Sequence, residues 1–424
     1  MRVPVTACPT EIRNVADSFK DILGPEYKAF AAILCGYIFG VSNLSEIMRY
    51  FLFSPSVSSM NRLFHQSDLH TQLNRRHRRR IQKIMIAANK DPLRYQWAID
   101  DTLVPHWGRS IWGTYYWKDH NTNGSVYGHK LMVLGLIDTK RKVLIPVMWE
   151  FLHREDREDS GETHKKGWEV AFELLSQAVE FGFPKFPVVM DSWFAGKELF
   201  EKLDDSGFDF VVELKNNRKV VGHGREKLDE SIALFFSNRF RHKIFYLGRS
   251  KWATCATLLL NNMVKKLKIV AVANKKGLAH ECFAYYATNR LAWDATKVWG
   301  ISRNRWAIEV QFRELKQLFT LGGAAMQSKQ AVETTISISM IALTVVRFEQ
   351  LAQADASKNQ YERPCTASSI VQKYTMSSLK KCILKLASTR DPETIRKFKI
   401  RLRPGNFGRK PTEKTSLEEM PIGA

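Results

Sequence analysis

Three acidic residues of this 424-residue chain stand where a strand or helix would present them for chemistry: Asp100, Asp191 and Glu309. Carboxylate oxygens are the preferred ligands of hard divalent cations, so three of them gathered at one place could hold metal ions for attack on a phosphate. Each residue also has an ordinary reading. Asp100 ends Trp97-Ala98-Ile99-Asp100 and precedes Asp101 and Thr102, and a double Asp after a strand is commonly a turn or a helix cap. Strand alternation puts Asp100 and Thr102 on the face away from Ile99, with Asp101 pointing the other way. Asp191 ends Val188-Val189-Met190-Asp191 and precedes Ser192-Trp193-Phe194, where it could serve only to cap the next helix.

Glu309 lies in Arg303-Asn304-Arg305-Trp306-Ala307-Ile308-Glu309-Val310-Gln311-Phe312-Arg313-Glu314-Leu315-Lys316. At helical spacing Arg305, Glu309, Arg313 and Lys316 share one face, beside an apolar stripe of Ile308, Phe312, Leu315 and Phe319. Alone, this pattern reads more readily as a surface ion-pair ladder than as a site. The stretch resembles the signature of bacterial insertion-sequence DDE transposases, in which Tyr, then after two residues Arg, after three Glu and after six Lys occur on one helix. Arg305, Glu309 and Lys316 match the last three positions. Ser302 stands at the Tyr position, which leaves that role unfilled or supplied elsewhere. The resemblance extends, in the family's order, to Ile99-Asp100-Asp101-Thr102 and Val189-Met190-Asp191-Ser192-Trp193-Phe194, and covers roughly Gln96 to Phe348.

That resemblance implies an α/β fold, an RNase H-like mixed sheet with a β-rich insertion between the second Asp and the Glu. It also implies metal-dependent cleavage at transposon ends and strand transfer into target DNA. Asp100, Asp191 and Glu309 would be the catalytic residues holding two Mg2+ ions, with Mn2+ able to substitute. Arg305, Lys316 and Arg313 would contact DNA, and Trp193 would either stack on a displaced base or pack in the core. The partner would be double-stranded DNA, with a homodimer in the active complex by family analogy. A DNA endonuclease or domesticated transposase lacking strand transfer is one alternative; a non-catalytic DNA-binding regulator is another.

The elements that must position these residues are legible as changes of period. Residues 1–90 read as a small all-α DNA-binding domain, ending in Arg75, Arg76, Arg78, Arg79, Arg80 and Lys83 with only Asp68 as a nearby acid. Such density suits phosphate contact better than solubility. After Pro92 strand patterns begin, at Trp97 to Asp100, Val126 to Asp138 and Lys142 to Phe151. A helix carrying Trp168, Phe172, Leu175 and Val179 and a buried strand ending at Asp191 follow. Strand, helix, strand in that order predicts a right-handed crossover and a parallel pair, whose carboxyl ends meet in a crevice. The catalytic domain is thus expected over 91–207 and 290–350, a β-rich insertion over 208–289, and a basic region of uncertain order over 351–424, with Arg396, Lys397, Lys399, Arg401, Arg403, Arg409 and Lys410 suggesting a further DNA contact.

Composition agrees with this organisation. Sixty-five Lys and Arg against 43 Asp and Glu give a net charge of +22, which favours a polyanionic partner. The longest apolar stretch, Ala29 to Val41, is shorter than the roughly 20 residues that cross a bilayer, and the N-terminus lacks the apolar segment of a secretory signal. A cytoplasmic, nucleoid-associated protein with no membrane partner is expected. The six cysteines are scattered without the close spacing of a zinc site, so buried free thiols are expected.

Overall fold

The computed structural model describes residues 8–389 and 392, apart from 52–53, 87–93, 107, 109, 120–122, 155–163, 222–229, 237–241, 247, 275–281 and 357–364. The chain forms two compact units. One gathers Met1–Leu73, Leu315–Gln350 and Cys365–Ala424; the other comprises Asn74–Glu314 and Leu351–Pro364.

The chain begins with α1 (Thr10–Asp17), α2 (Lys20–Leu23), α3 (Tyr27–Ile38), α4 (Leu44–Tyr50), α5 (Val57–Phe64) and α6 (Leu69–Ile81). The starts of α4 and α5 are set by their capping residues. Asn43 accepts from the Ser45 and Glu46 amides, and Ser56 from the Ser59 amide, which satisfies donors that a helix start leaves unpaired. The helix α3, apolar on nearly every side, is buried along most of its length.

The second unit is built on a ten-stranded mixed sheet. It opens with β1 (Tyr95–Pro105), β2 (Tyr115–Lys118), β3 (Ser125–Asp138) and β4 (Val143–Leu152), then α7 (Gly167–Glu180), β5 (Val188–Met190), α8 (Lys197–Asp205) and β6 (Phe210–Leu214). The strand β3 pairs antiparallel with both β1 and β4. The crossover through α7 lays β5 parallel to β1, and β6 lies parallel to β5. The resulting order β4-β3-β1-β5-β6, an antiparallel meander followed by two parallel strands, is RNase H-like. The strand β2, which the sequence pattern did not reveal, pairs with the start of β3.

Next come β7 (Lys219–Val220) and β8 (Glu230–Ser231), a separate two-stranded ladder, and α9 (Ile232–Phe235). Then β9 (His242–Tyr246), β10 (Arg249–Leu258), β11 (Leu267–Ala273) and β12 (Cys282–Thr288) join the main sheet, because β12 pairs antiparallel with β6. The β-rich segment therefore extends the sheet that carries the acidic residues. Helices α10 (Ala295–Arg303) and α11 (Trp306–Gln317) follow.

The chain continues through α12 (Lys329–Ala356) and α13 (Ala367–Ser388). Among the described residues α12 is a helix long and apolar enough to cross a bilayer, yet 89% of its apolar window is buried inside the protein. Hydroxyl residues interrupt its apolar pattern: Thr335, Ser337, Ser339 and Thr344 each donate to the carbonyl four residues earlier, so they are buried without loss of hydrogen bonds. The helix α13, capped by Thr366, lies where the sequence pattern suggested no fixed order. The basic residues from Arg396 to Lys410 lie outside the described residues. Buried free thiols hold for Cys35 and Cys382, whereas Cys255 and Cys365 are exposed.

Candidate active site

The side-chain alternation of β1 decides which of its two aspartates can join a cluster. Gln96, Ala98 and Asp100 share a face. On that face Gln96 Oε1 accepts from Asn304 Nδ2 at 2.8 Å, and Lys142 Nζ donates to Asn304 Oδ1 at 2.9 Å. Asn304 joins α10 to α11, so the face of Asp100 is the one beneath the turn that leads to Arg305. Asp101 points the other way and pairs with Lys130 at 3.1 Å.

The Asp100 carboxyl accepts the Asp101 amide at 2.9 Å. Burial, with Asp101 and Asp191 as further negative neighbours, pushes it up to about 7, against the opposing pull of the Asp101 amide and Arg305. Asp191 does cap the turn that follows it, its carboxylate accepting the Ser192 amide at 2.7 Å. Capping and a place beside Asp100 are compatible, because β5 ends next to β1 in parallel register.

Glu309 reaches the cluster from α11 through a 2.7 Å ion pair with Arg305, one helical turn before it. The Arg305 side chain is 20% exposed. Burial opposes its charge, but Asp191, Glu309, Asp100 and Glu213 more than offset that and hold the guanidinium firmly ionised. Three segments far apart in sequence thus bring their carboxylates around one arginine. Arg313 and Lys316 are exposed further along α11.

Glu213 escaped the sequence reading. It sits in β6, whose residue Val212 aligns with Met190, so the next pair in register is Glu213 beside Asp191. Burial raises its pKa, with Asp191 and Glu309 adding and Arg305 opposing. A lone Glu in Phe210-Val211-Val212-Glu213-Leu214 was the available signal: a charged residue has no reason to sit within a buried strand unless a partner waits there. Beside it opens a polar cavity of about 320 Å³ lined in part by Ser192, Glu213, Lys215, Asn216 and Asn217.

The remaining candidates are dispersed. Trp193 is 51% exposed, its ring lying 4.9 Å from that of Phe194 and 5.0 Å from Lys130 Nζ. It therefore lies on the Asp101–Lys130 side and outside the core. The arginines of α6 divide by facing. Arg75 and Arg79 are exposed, in line with Lys83, whereas Arg78 lies 5.6 Å from the Phe181 ring. Burial lowers the pKa of both Arg78 and Arg80, and Arg76 is half-buried.

Among the described residues, no three His, Cys, Asp or Glu side chains are gathered tightly enough to hold one ion together. The carboxylates are drawn instead around the Arg305 guanidinium, one positive charge among Asp100, Asp191, Glu213 and Glu309. That excess of hard oxygen donors over neutralising charge is what a divalent cation satisfies.

Residues 44–231 match the family model described as DDE superfamily endonuclease, and enzymes of that class use divalent metal ions. No protein of curated function matches the chain. Similar solved structures include the piggyBac transposase synaptic complex with hairpin DNA, 12% identical with a TM-score of 0.46, the match covering 92% of this chain and 79% of that one. Another is the NurA nuclease from Sulfolobus solfataricus, 9% identical with a TM-score of 0.24, covering 70% of this chain and 95% of that one. Neither of these two likenesses carries the assignment. Asp100 and Asp191 lie inside the segment similar to DDE superfamily endonucleases, and Glu309 is brought beside Arg305 from α11, beyond that segment.

Proposed function

We propose that the chain cuts double-stranded DNA at transposon ends and joins the freed 3′ hydroxyl to target DNA, with Asp100, Asp191 and Glu309 holding two Mg2+ ions. The observation that carries this reading is the convergence of those carboxylates, from β1, β5 and α11, on the single guanidinium of Arg305. All three carboxylates would supply oxygen donors to those ions. Divalent ions there would offset charge on the reacting phosphate and on the departing 3′ oxygen, and would acidify the attacking water. Arg305, paired with Glu309 in this structure, would be the side chain placed to make a charge-assisted contact with a DNA phosphate. The exposed row of Arg75, Arg79 and Lys83 on α6 would grip the backbone without reading sequence.

Joining requires two ends to be held together, so we propose a homodimer as the active form, working at the nucleoid in the cytoplasm. Labelled duplexes taken from the DNA flanking the gene, a target plasmid and Mg2+ test the reading. The expected products are nicks at the duplex ends and label joined to plasmid. Asp100→Asn, Asp191→Asn and Glu309→Gln should each abolish both while leaving duplex binding intact. Cleavage without joining would leave a nuclease. Binding without cleavage in Mg2+ or Mn2+ would overturn the reading in favour of a regulator.

A further inference from the structure

The helix α10 carries Ser302 where the signature it resembles has a tyrosine, yet a phenol stands at the same spot from another element. The hydroxyl of Tyr286, on β12, is hydrogen-bonded to that of Ser302. Both residues are 8% exposed. Ser302 Oγ also donates to the Trp299 carbonyl at 2.8 Å, and the Ser302 carbonyl accepts the backbone amide of Arg305 at 3.1 Å.

Strand register places Tyr286 with respect to the carboxylates. Tyr286 is the antiparallel partner of Glu213, and Glu213 falls beside Asp191 one step beyond the Met190–Val212 pair. Asp191, Glu213 and Tyr286 therefore form a row across three adjacent strands. Arg305 interacts with Asp191, Glu213 and Tyr286 alike.

We infer that Tyr286 is a positioning residue for Arg305: from β12 it supplies the phenol that α10 lacks at Ser302, and through Ser302 it holds the start of α11 over the carboxylate row. This inference rests on the reading that Arg305 contacts a DNA phosphate. The sheet extension thereby acquires a role in the site, because β12 is one of its strands.

A double-mutant cycle between Tyr286→Phe and Arg305→Ala tests it, with a fluorescent duplex of the flanking DNA as probe and cleavage of the same duplex in Mg2+ as second readout. Tyr286→Phe keeps the ring, and Ser302 keeps its bond to Trp299, so the thermal midpoint should stay within about 2 °C of wild type. Duplex binding should weaken about fivefold in the wild-type background and not at all in the Arg305→Ala background, the coupling expected of residues that act through one another. In the cleavage assay KM should rise while kcat changes less. Moving the phenol to the helix, as Tyr286→Ser with Ser302→Tyr, should recover binding relative to Tyr286→Ser alone. Losses that multiply independently, or no loss from Tyr286→Phe, would overturn the inference even if the wild type cleaves DNA. A wild type that binds but never cleaves would instead overturn the catalytic reading, and the binding cycle would still decide on Tyr286.

Discussion

Asn304 Nδ2 donates to Gln96 Oε1 at 2.8 Å, a buried bond that ties β1, four residues before Asp100, to the turn immediately before Arg305. Both residues are almost fully buried, at 7% and 5% exposure. The other side of the same amide accepts from Lys142, so one side chain fixes the sheet, the turn and the start of α11.

Removing that amide should therefore damage both fold and chemistry. Asn304→Ala leaves a buried Gln96 carbonyl oxygen and the Lys142 ammonium without this partner, which should cost about 1–3 kcal/mol in denaturant unfolding. Because Arg305 and Glu309 lose their register over Asp100, single-turnover cleavage at saturating Mg2+ should fall by about 10²-fold. Asn304→Asp, which keeps the acceptor for Lys142, should be intermediate. Wild-type cleavage by a folded Asn304→Ala protein at low temperature would show the amide to be structural only.

The Asp100 carboxyl gives a pH dependence whose sign is fixed. Burial and its acidic neighbours raise its pKa to about 7 from an ordinary 3.8, so it favours folding while protonated, and that contribution is lost as pH rises through 7. Chelator-treated protein should accordingly lose thermal stability between about pH 4 and pH 7, Mg2+ should reduce the loss, and cation binding near neutrality should release a proton. Asp100→Asn should flatten this part of the profile. An unchanged slope in Asp100→Asn would assign the pH dependence to other groups.

These residues were unequally legible in the sequence. Asp100 was separable from Asp101 because strand alternation is local; helical spacing put Glu309 and Arg305 on one face, and the resemblance singled them out from a surface ion-pair ladder. Glu213 and Tyr286 depend on which strands are neighbours and in what register, and nothing within Phe210–Leu214 or Cys282–Thr288 encodes that β6 lies between β5 and β12. The parallel placing of β5 followed from the crossover rule and the RNase H-like sheet from the resemblance, whereas the continuation of the sheet through β12 is a long-range pairing. The α6 arginines show the same limit, since their density is visible in the sequence but their facing is set by what packs below.

Facing predicts opposite phenotypes on that one helix. Arg75→Glu with Arg79→Glu, on the exposed side, should weaken duplex binding for all sequences alike and lower the salt dependence of affinity, with little change in stability. Arg78→Ala should instead lower the thermal midpoint, because its guanidinium covers Phe181 and faces Glu150 from a mostly buried position. Equal loss of DNA affinity from both variants, without loss of stability in Arg78→Ala, would mean that the helix is presented differently in solution.

Gly167 and Trp193 supply the last test. A Cβ at Gly167 would lie 2.1 Å from Cη2 and 2.8 Å from Cζ3 of the Trp193 ring, a rigid group that also carries Lys130 Nζ 5.0 Å from its centroid. Gly167→Ala must therefore displace the indole, while alanine is otherwise a better helix residue than glycine. If Trp193 receives a displaced base, stacking worth about 1–3 kcal/mol is at stake. Trp193→Ala should then weaken binding to a duplex with an unpaired base by about tenfold, Gly167→Ala should do much the same, and the double variant should be no worse than either. Intrinsic fluorescence reports whether the ring has moved. A displaced ring with undiminished affinity would reduce Trp193 to a cover over the start of α7.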